Sequence, residues 1–272
     1  MMLTILRFLL LGIIQGFTEP IPVSSSGHLL IFQKLIQGNS DIDYNLLSIL
    51  TNFGSFLAIF FIFKKEIFQL FKSFFGYLKT KEKKYYNDYK YCWLIVLGTI
   101  PAGIMGLVVT KLDLFAFLEE NVKFIGVTLL ITAVFLFLIR NIKGNKEKDA
   151  ITWKDALIVG LFQVVALIPG ISRSGSTIVG GMSRKFTRET AFNFSFLLYM
   201  PISIATLLLG IKDLIEMNPS METLLYYFVS MIAAMVVTYF SARWFKDIMK
   251  KGKLIYFVIY CAVVGSLVLL FL

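Results

Sequence analysis

Gly12-Ile13-Ile14-Gln15-Gly16-Phe17-Thr18-Glu19-Pro20-Ile21-Pro22-Val23-Ser24-Ser25-Ser26-Gly27-His28 is matched without a gap, 148 residues further on, by the stretch from Gly160-Leu161-Phe162-Gln163 to Ser172-Arg173-Ser174-Gly175-Ser176. Each copy reads as an apolar helix that runs into proline, breaks at a serine-glycine knot and restarts. Gly/Pro-interrupted apolar segments in corresponding places of two halves point to a site buried at mid-membrane. The copies differ in charge: Glu19 stands opposite Leu167 and Ser25 opposite Arg173. One copy keeps an acid and the other gains a base, the mark of a catalytic or binding centre.

The rest of the chain supplies the membrane. Of its 272 residues 57% are hydrophobic and only 16% charged, with a mean hydropathy of +0.77, far more apolar than a soluble domain. Tyr44–Phe63, Tyr91–Thr110, Val122–Ile139, Thr190–Ile211, Thr223–Ala242 and Leu254–Leu272 are apolar runs, each about long enough to cross a ~30 Å hydrocarbon core. The expected fold is an all-α polytopic membrane protein, a single integral membrane domain over 1–272 with repeat halves at about 1–140 and 150–272. The net charge of +10 lies between spans rather than on a recognition element, which argues against nucleic acid as a partner. Cys92 and Cys261 fall inside apolar runs and are expected as free buried thiols. Arg7 near the start, with no small-residue cleavage pattern after it, speaks against a removable signal peptide.

The positive-inside rule orients the spans. Lys64–Lys90 holds eight lysines against Glu66, Glu82 and Asp88 and reads as a cytoplasmic loop, as do Arg140–Lys154 and the Arg243–Lys253 cluster. Lys111–Lys123, with Asp113, Glu119 and Glu120, and Lys212 with Asp213, Glu216 and Glu222 read as outer. Ala156–Met182 has basic flanks on both sides and is expected to enter and leave from the cytoplasm. The first copy precedes a span that starts near Asp41 and Asp43, so it is expected to enter and leave from outside. The result is an inverted-topology repeat of six transmembrane helices plus two re-entrant helix hairpins. Asn52-Phe53 against Asn193-Phe194 echoes the duplication.

Gln15 and Glu19 share a helix face, with Gly12 and Gly16 leaving room for another backbone. After Pro20 and Pro22, the run Ser24-Ser25-Ser26-Gly27 suits the start of a new helix, whose first N–H groups attract anions. The second copy adds Ser172, Arg173, Ser174 and Thr177. Where the two tips meet, helix starts, hydroxyls and a guanidinium converge, and phosphate is the natural guest. His28, the sole histidine, lies beside the hydroxyls as a candidate base. Asn52, Asn193, Ser203 and Thr206 read as helix–helix contacts.

These residues carry a resemblance. Gln15-Gly16-Phe17-Thr18-Glu19, Pro22-Val23-Ser24-Ser25-Ser26-Gly27-His28 and Pro169-Gly170-Ile171-Ser172-Arg173-Ser174-Gly175-Ser176-Thr177 resemble the motifs of the undecaprenyl-diphosphate phosphatase family, the bacitracin-resistance proteins. The resemblance spans essentially the whole chain. It implies a phosphatase of the bacterial cytoplasmic membrane that hydrolyses undecaprenyl diphosphate, recycles the lipid carrier of peptidoglycan synthesis and confers bacitracin resistance. It also implies a polyprenyl diphosphate lipid and the bilayer as partners and a divalent cation (Mg²⁺, or another such as Ca²⁺); a homodimer is a candidate assembly that the sequence does not decide.

By the same resemblance Glu19, Ser25, His28 and Arg173 are the expected catalytic residues, Ser24, Ser26, Ser172, Ser174 and Thr177 the expected substrate cradle, and Glu19 with Gln15 the expected metal holders. Some members carry a second glutamate at the position of Gln15; here that leaves Glu19 as the indispensable acid. The attacking group is Ser25 activated by His28, His28 itself, or an oriented water, in that order. The alternative from another class is a flippase for polyprenyl phosphate lipids. Because the first hairpin brings Glu19 and His28, the site is expected to open to the outer face.

Overall fold

The computed structural model describes residues 2–35, 43–112, 114, 121–217 and 219–272, without the side chains of 44, 212 and 213. Asp41, Asp113, Glu119 and Glu120 and the side chains of Lys212 and Asp213, on which the outer-face expectation leaned, lie outside the described part. The described residues are helical, with no strand among them. In chain order the helices are α1 (Met2–Thr18), α2 (Ser25–Leu35), α3 (Tyr44–Thr80), α4 (Lys83–Leu112), α5 (Val122–Ile139), α6 (Trp153–Val165), α7 (Arg173–Ser183), α8 (Arg188–Met217), α9 (Met221–Lys251) and α10 (Ile255–Phe271).

Five of these, α3, α4, α5, α8 and α9, are long and apolar enough to cross a membrane, and their apolar faces turn outward at Phe68, Leu138, Leu208 and Phe240. The chain is a multi-pass membrane protein. The sixth expected span, α10, has 17 residues, roughly 25 Å at 1.5 Å per residue. Cys92 and Cys261 are free thiols, as expected, but only Cys261 is buried; Cys92 is partly exposed.

Lys64–Lys90, read as a loop, is helical instead. α3 and α4 run on through it and turn at Lys81-Glu82, where Lys81 takes a left-handed conformation and donates its N–H to the Tyr77 carbonyl. Lysine is a good helix former, so the basic residues prolong the spans, and Tyr77 packs on Tyr86 and Tyr89 across the hairpin.

Both interrupted segments fold as helix pairs. Thr18 ends α1 and Ser24 caps α2, its hydroxyl accepting from Gly27 N at 3.2 Å. Ser172 does the same for α7 with Gly175 N at 3.1 Å. The glycines set the seams: a Cβ on Gly12 would lie 2.3 Å from the Ser230 carbonyl of α9, and one on Gly160 would lie 2.4 Å from the Gly98 carbonyl of α4. Thr238 and Ser241 of α9 add hydroxyl bonds to the Gly16 carbonyl at 3.1 and 2.8 Å. So α1 lies on α9, α6 lies on α4, and α5 packs against α10.

Asp155 clasps the second pair at its base. It forms a capping box with Thr152 at the start of α6 and accepts from Lys146 at 2.7 Å and from Arg184, just past α7, at 2.8 Å. The entry of α6 and the exit of α7 therefore sit at one level. Burial alone would raise the Asp155 carboxyl, but the bonds from Lys146, Thr152 and Arg184 outweigh it and hold the group below the usual carboxylate range. A depressed carboxyl stabilises the fold above its unfolded value and stops doing so as pH falls through the folded one. Asp155→Asn is expected to cost about 2 kcal/mol at neutral pH, the partial exposure of Arg184 discounting the usual penalty for stranding charges. In detergent the stability gap to wild type should hold from about pH 8 to about pH 5 and close only in stronger acid. A gap that is absent at neutral pH contradicts the clasp.

Candidate active site

The tips of the two helix pairs touch. Arg173 Nη2 donates to Glu19 Oε1 at 2.6 Å, and Ser174 Oγ donates to the Ile21 carbonyl at 3.1 Å. Between them lies a cavity of about 170 Å³ lined by Gln15, Glu19, Ser24, Ser25, Ser26, Ser172, Arg173 and Ser174, with Ser48 and Asn52 of α3 and Tyr199 and Ile202 of α8 behind. That volume is small against the 300–1,000 Å³ of drug-sized pockets and suits a head group.

Glu19 is the hub. Its Oε1 takes the guanidinium, while Oε2 accepts from Ser25 Oγ at 2.5 Å and from Gln15 Nε2 at 3.0 Å. The helical spacing of Gln15 and Glu19 delivers the last of these. The Arg173 guanidinium carbon sits over the Tyr199 ring, 3.9 Å from its centre, and the Tyr199 hydroxyl is anchored on the Asn52 carbonyl at 2.9 Å and on the Asn52 side chain. The ring face attracts the cation and helps hold it in place.

Two polar atoms here are buried without a partner, Arg173 Nη1 and Gln15 Oε1. Unpaired buried donors and acceptors are expensive. An anion satisfies the first and a cation the second. The donor set also fits a hard divalent ion such as Mg²⁺, which takes one or two carboxylates and leaves its other positions to phosphate and water. Glu19 would give such an ion one carboxylate and Gln15 one amide oxygen, the smallest set of that kind.

Two expected site residues stand elsewhere. Thr177 does not line the cavity; its hydroxyl bonds the Arg173 carbonyl at 2.9 Å and Ser195 Oγ at 2.6 Å. His28 is buried behind the serine turn, Nδ1 on the Ser24 carbonyl at 2.7 Å and Nε2 on the Tyr260 hydroxyl at 2.8 Å. The expected bond from His28 to Ser25 is replaced by one from Ser25 to Glu19, because the ring points back into the protein. Ser24 and Ser172 are placed as helix caps at the cavity wall.

The model of the family described as bacitracin resistance protein BacA matches residues 8–267. The chain belongs to the BacA family. Similar proteins include undecaprenyl-diphosphatase 1 of Bacillus licheniformis, 45% identical over 269 residues that cover 99% of this chain and 98% of that one. Undecaprenyl-diphosphatase 2 of Bacillus thuringiensis is 45% identical, covering 98% of both. Undecaprenyl-diphosphatase of Oceanobacillus iheyensis is 42% identical over 272 residues, 99% of this chain and 97% of that one. All of the cavity residues named above lie within the part matched by the BacA model.

In this BacA-family chain the Glu19–Arg173 pair is expected to be coupled. Glu19→Gln leaves the guanidinium, with 18% of its side chain exposed, without a counter-ion, at a cost of about 3 kcal/mol. Glu19→Gln/Arg173→Gln should cost less than the sum of the single changes in a double-mutant cycle of detergent unfolding. Additive costs contradict the pairing.

Proposed function

We propose that this chain is an undecaprenyl-diphosphatase, a hydrolase that converts undecaprenyl diphosphate to undecaprenyl phosphate and phosphate, recycles the lipid carrier for peptidoglycan synthesis and confers bacitracin resistance. The observation that carries the reading is a cavity lined by Glu19, Ser25 and Arg173, whose Nη1 is buried without a partner. Glu19 and Gln15 would hold a divalent cation, whose chemistry is to offset the charge of the diphosphate.

The terminal phosphate rests against Arg173 Nη1 and the N–H groups at the starts of α2 and α7. Ser25 Oγ attacks the terminal phosphorus while its proton passes to Glu19 Oε2, to which it is already bonded. The phosphorus–oxygen bond to the lipid phosphate breaks, and that phosphate leaves as an anion. Glu19 passes the serine proton to the departed lipid phosphate. A water then attacks the serine phosphate and gives a proton to the freed carboxylate, the phosphorus–Oγ bond breaks, and the same proton moves on to Oγ, restoring the Ser25 hydroxyl as phosphate is released. Arg173, held over the Tyr199 ring, stabilises the charge spread over the phosphoryl oxygens.

The halves are inverted relative to each other and the cavity opens to the outer face. Support comes from the reciprocal seams, α1 on α9 and α6 on α4, each made at an equivalent glycine. Along α3, Ser48 and Asn52 lie near the Asp43 cap, whereas Lys64 follows roughly 18 Å later, at the end that the positive-inside rule assigns to the cytoplasm. The apolar tail has a path in the same walls. Phe56 and Phe60 of α3, Ile95 of α4, and Met200, Pro201 and Ile204 of α8 line a groove of about 500 Å³, one turn beyond Asn52 and beside Tyr199.

Purified protein in detergent is expected to release phosphate from undecaprenyl diphosphate, where no leaflets exist for a flippase to join. Arg173→Lys should lower turnover at least about 100-fold, since an ammonium lacks the planar fork. A near-normal rate in that variant contradicts the assignment. Phe60→Ser should raise KM for undecaprenyl diphosphate about tenfold while sparing a C15 diphosphate. An equal effect on both chain lengths rules out the groove as the tail path.

A further inference from the structure

The serine turn of the first hairpin differs from that of the second in a way that their shared sequence pattern does not require. Ser24, the cap of α2, has φ +69°, the left-handed region that L residues with a Cβ avoid. Its counterpart Ser172 caps α7 at φ −69°, an ordinary extended value. Both serines cap through the same hydroxyl-to-glycine bond, so capping does not explain the strain.

What accompanies the strain is the residue four positions on. In the first copy it is His28, which binds the Ser24 carbonyl twice, through its backbone N–H at 3.2 Å and through ring Nδ1 at 2.7 Å. In the second copy it is Ser176, whose backbone N–H makes the same bond to the Ser172 carbonyl at 2.9 Å but whose buried hydroxyl has no partner, so only the ring bond is missing there. The clamp and the strained residue occur together, and where the clamp is missing the backbone is relaxed. A carbonyl only accepts, so His28 Nδ1 carries the proton. In the neutral ring Nε2 then accepts, and the Tyr260 hydroxyl of α10 donates to it at 2.8 Å, with the two rings stacked at 5.6 Å. Cys261, next on α10, reaches the Pro22 carbonyl, so α10 braces both sides of the turn. Both ring nitrogens are thereby engaged, and neither belongs to the cavity.

We propose that His28 is a positioning residue rather than the acid, base or nucleophile: with Tyr260 it clamps Ser24 in the left-handed conformation that aims the next residue, Ser25, at Glu19. The inference rests on the phosphatase reading for its kinetic readout. Strain at functional sites persists only where neighbours over-determine it, and the His28–Tyr260 pair is that neighbour. Tyr260 is by the same argument a second positioning residue, acting through the imidazole.

The side chains of Asn and Gln separate the roles, because Asn places an N–H where Nδ1 sits and Gln places one where Nε2 sits. Phosphate release by detergent-purified protein is measured for His28→Asn, His28→Gln, Ser24→Gly and the pair Ser24→Gly/His28→Gln, with thermal unfolding of each. His28→Asn is expected to keep kcat within about tenfold of wild type, whereas His28→Gln loses about 100-fold with little change in KM. Glycine adopts positive φ without a clamp, so Ser24→Gly/His28→Gln should recover to within about tenfold of Ser24→Gly alone and regain the thermal stability that His28→Gln lost. A missing acid, base or nucleophile would not be restored by a glycine. The proposal is overturned if folded His28→Asn falls as far as His28→Gln, the 10²–10⁴ expected for acid–base loss, or if the glycine rescues neither rate nor stability. Wild-type protein that releases no phosphate would instead defeat the phosphatase reading, and the unfolding comparison would still decide the clamp.

Discussion

An acid and a guanidinium brought together at the tips of two broken helices are the constraint around which this molecule is arranged. Each charge costs about 2.5–3.5 kcal/mol at membrane depth on insertion scales. Their attraction at about 4 Å and an effective dielectric near 20 returns roughly 4 kcal/mol. The remainder is met by the Ser25 and Gln15 bonds to Glu19 and by the Tyr199 ring under Arg173. Even so, Arg173 Nη1 and Gln15 Oε1 stay buried and unpaired. Apolar residues would fill such a space at lower cost, so the open donor and acceptor are what the proposed substrate and cation would satisfy.

The scaffold serves that placement. Glycines let α1 and α6 approach α9 and α4 at backbone contact, which brings each hairpin tip inward. Serine caps restart α2 and α7 at the cavity wall. At the far end Asp155 ties the entrance of one hairpin to its exit. The tips are thus fixed from the base as well as from each other, and a site on rigid elements holds its geometry better than one on loops.

Much of this was legible in the chain because the gapless repeat carries the informative residues itself. Gln15, Glu19, Ser25 and Arg173 stood out as polar groups inside apolar runs, and they do converge. Asn52 was read as a helix–helix contact; it makes one, to Tyr199, and lines the cavity besides. Tyr199 and Tyr260 were hidden because a tyrosine within an apolar span reads as packing until its hydroxyl is placed. The direction of the His28 ring was not legible for the complementary reason: proximity in sequence to the hydroxyls does not say which way a ring turns at a helix start. The Lys64–Lys90 segment went unread as helix because charge, taken as a topology signal, masked lysine's helix propensity.

The most direct test of the central claim is an experimental structure with a non-hydrolysable analogue of undecaprenyl diphosphate. The account predicts the terminal phosphate between the two tips, an oxygen on Arg173 Nη1 and the phosphorus roughly 3–3.5 Å from Ser25 Oγ. A head group bound outside this cavity, with Glu19 and Arg173 still closed on each other, would contradict it.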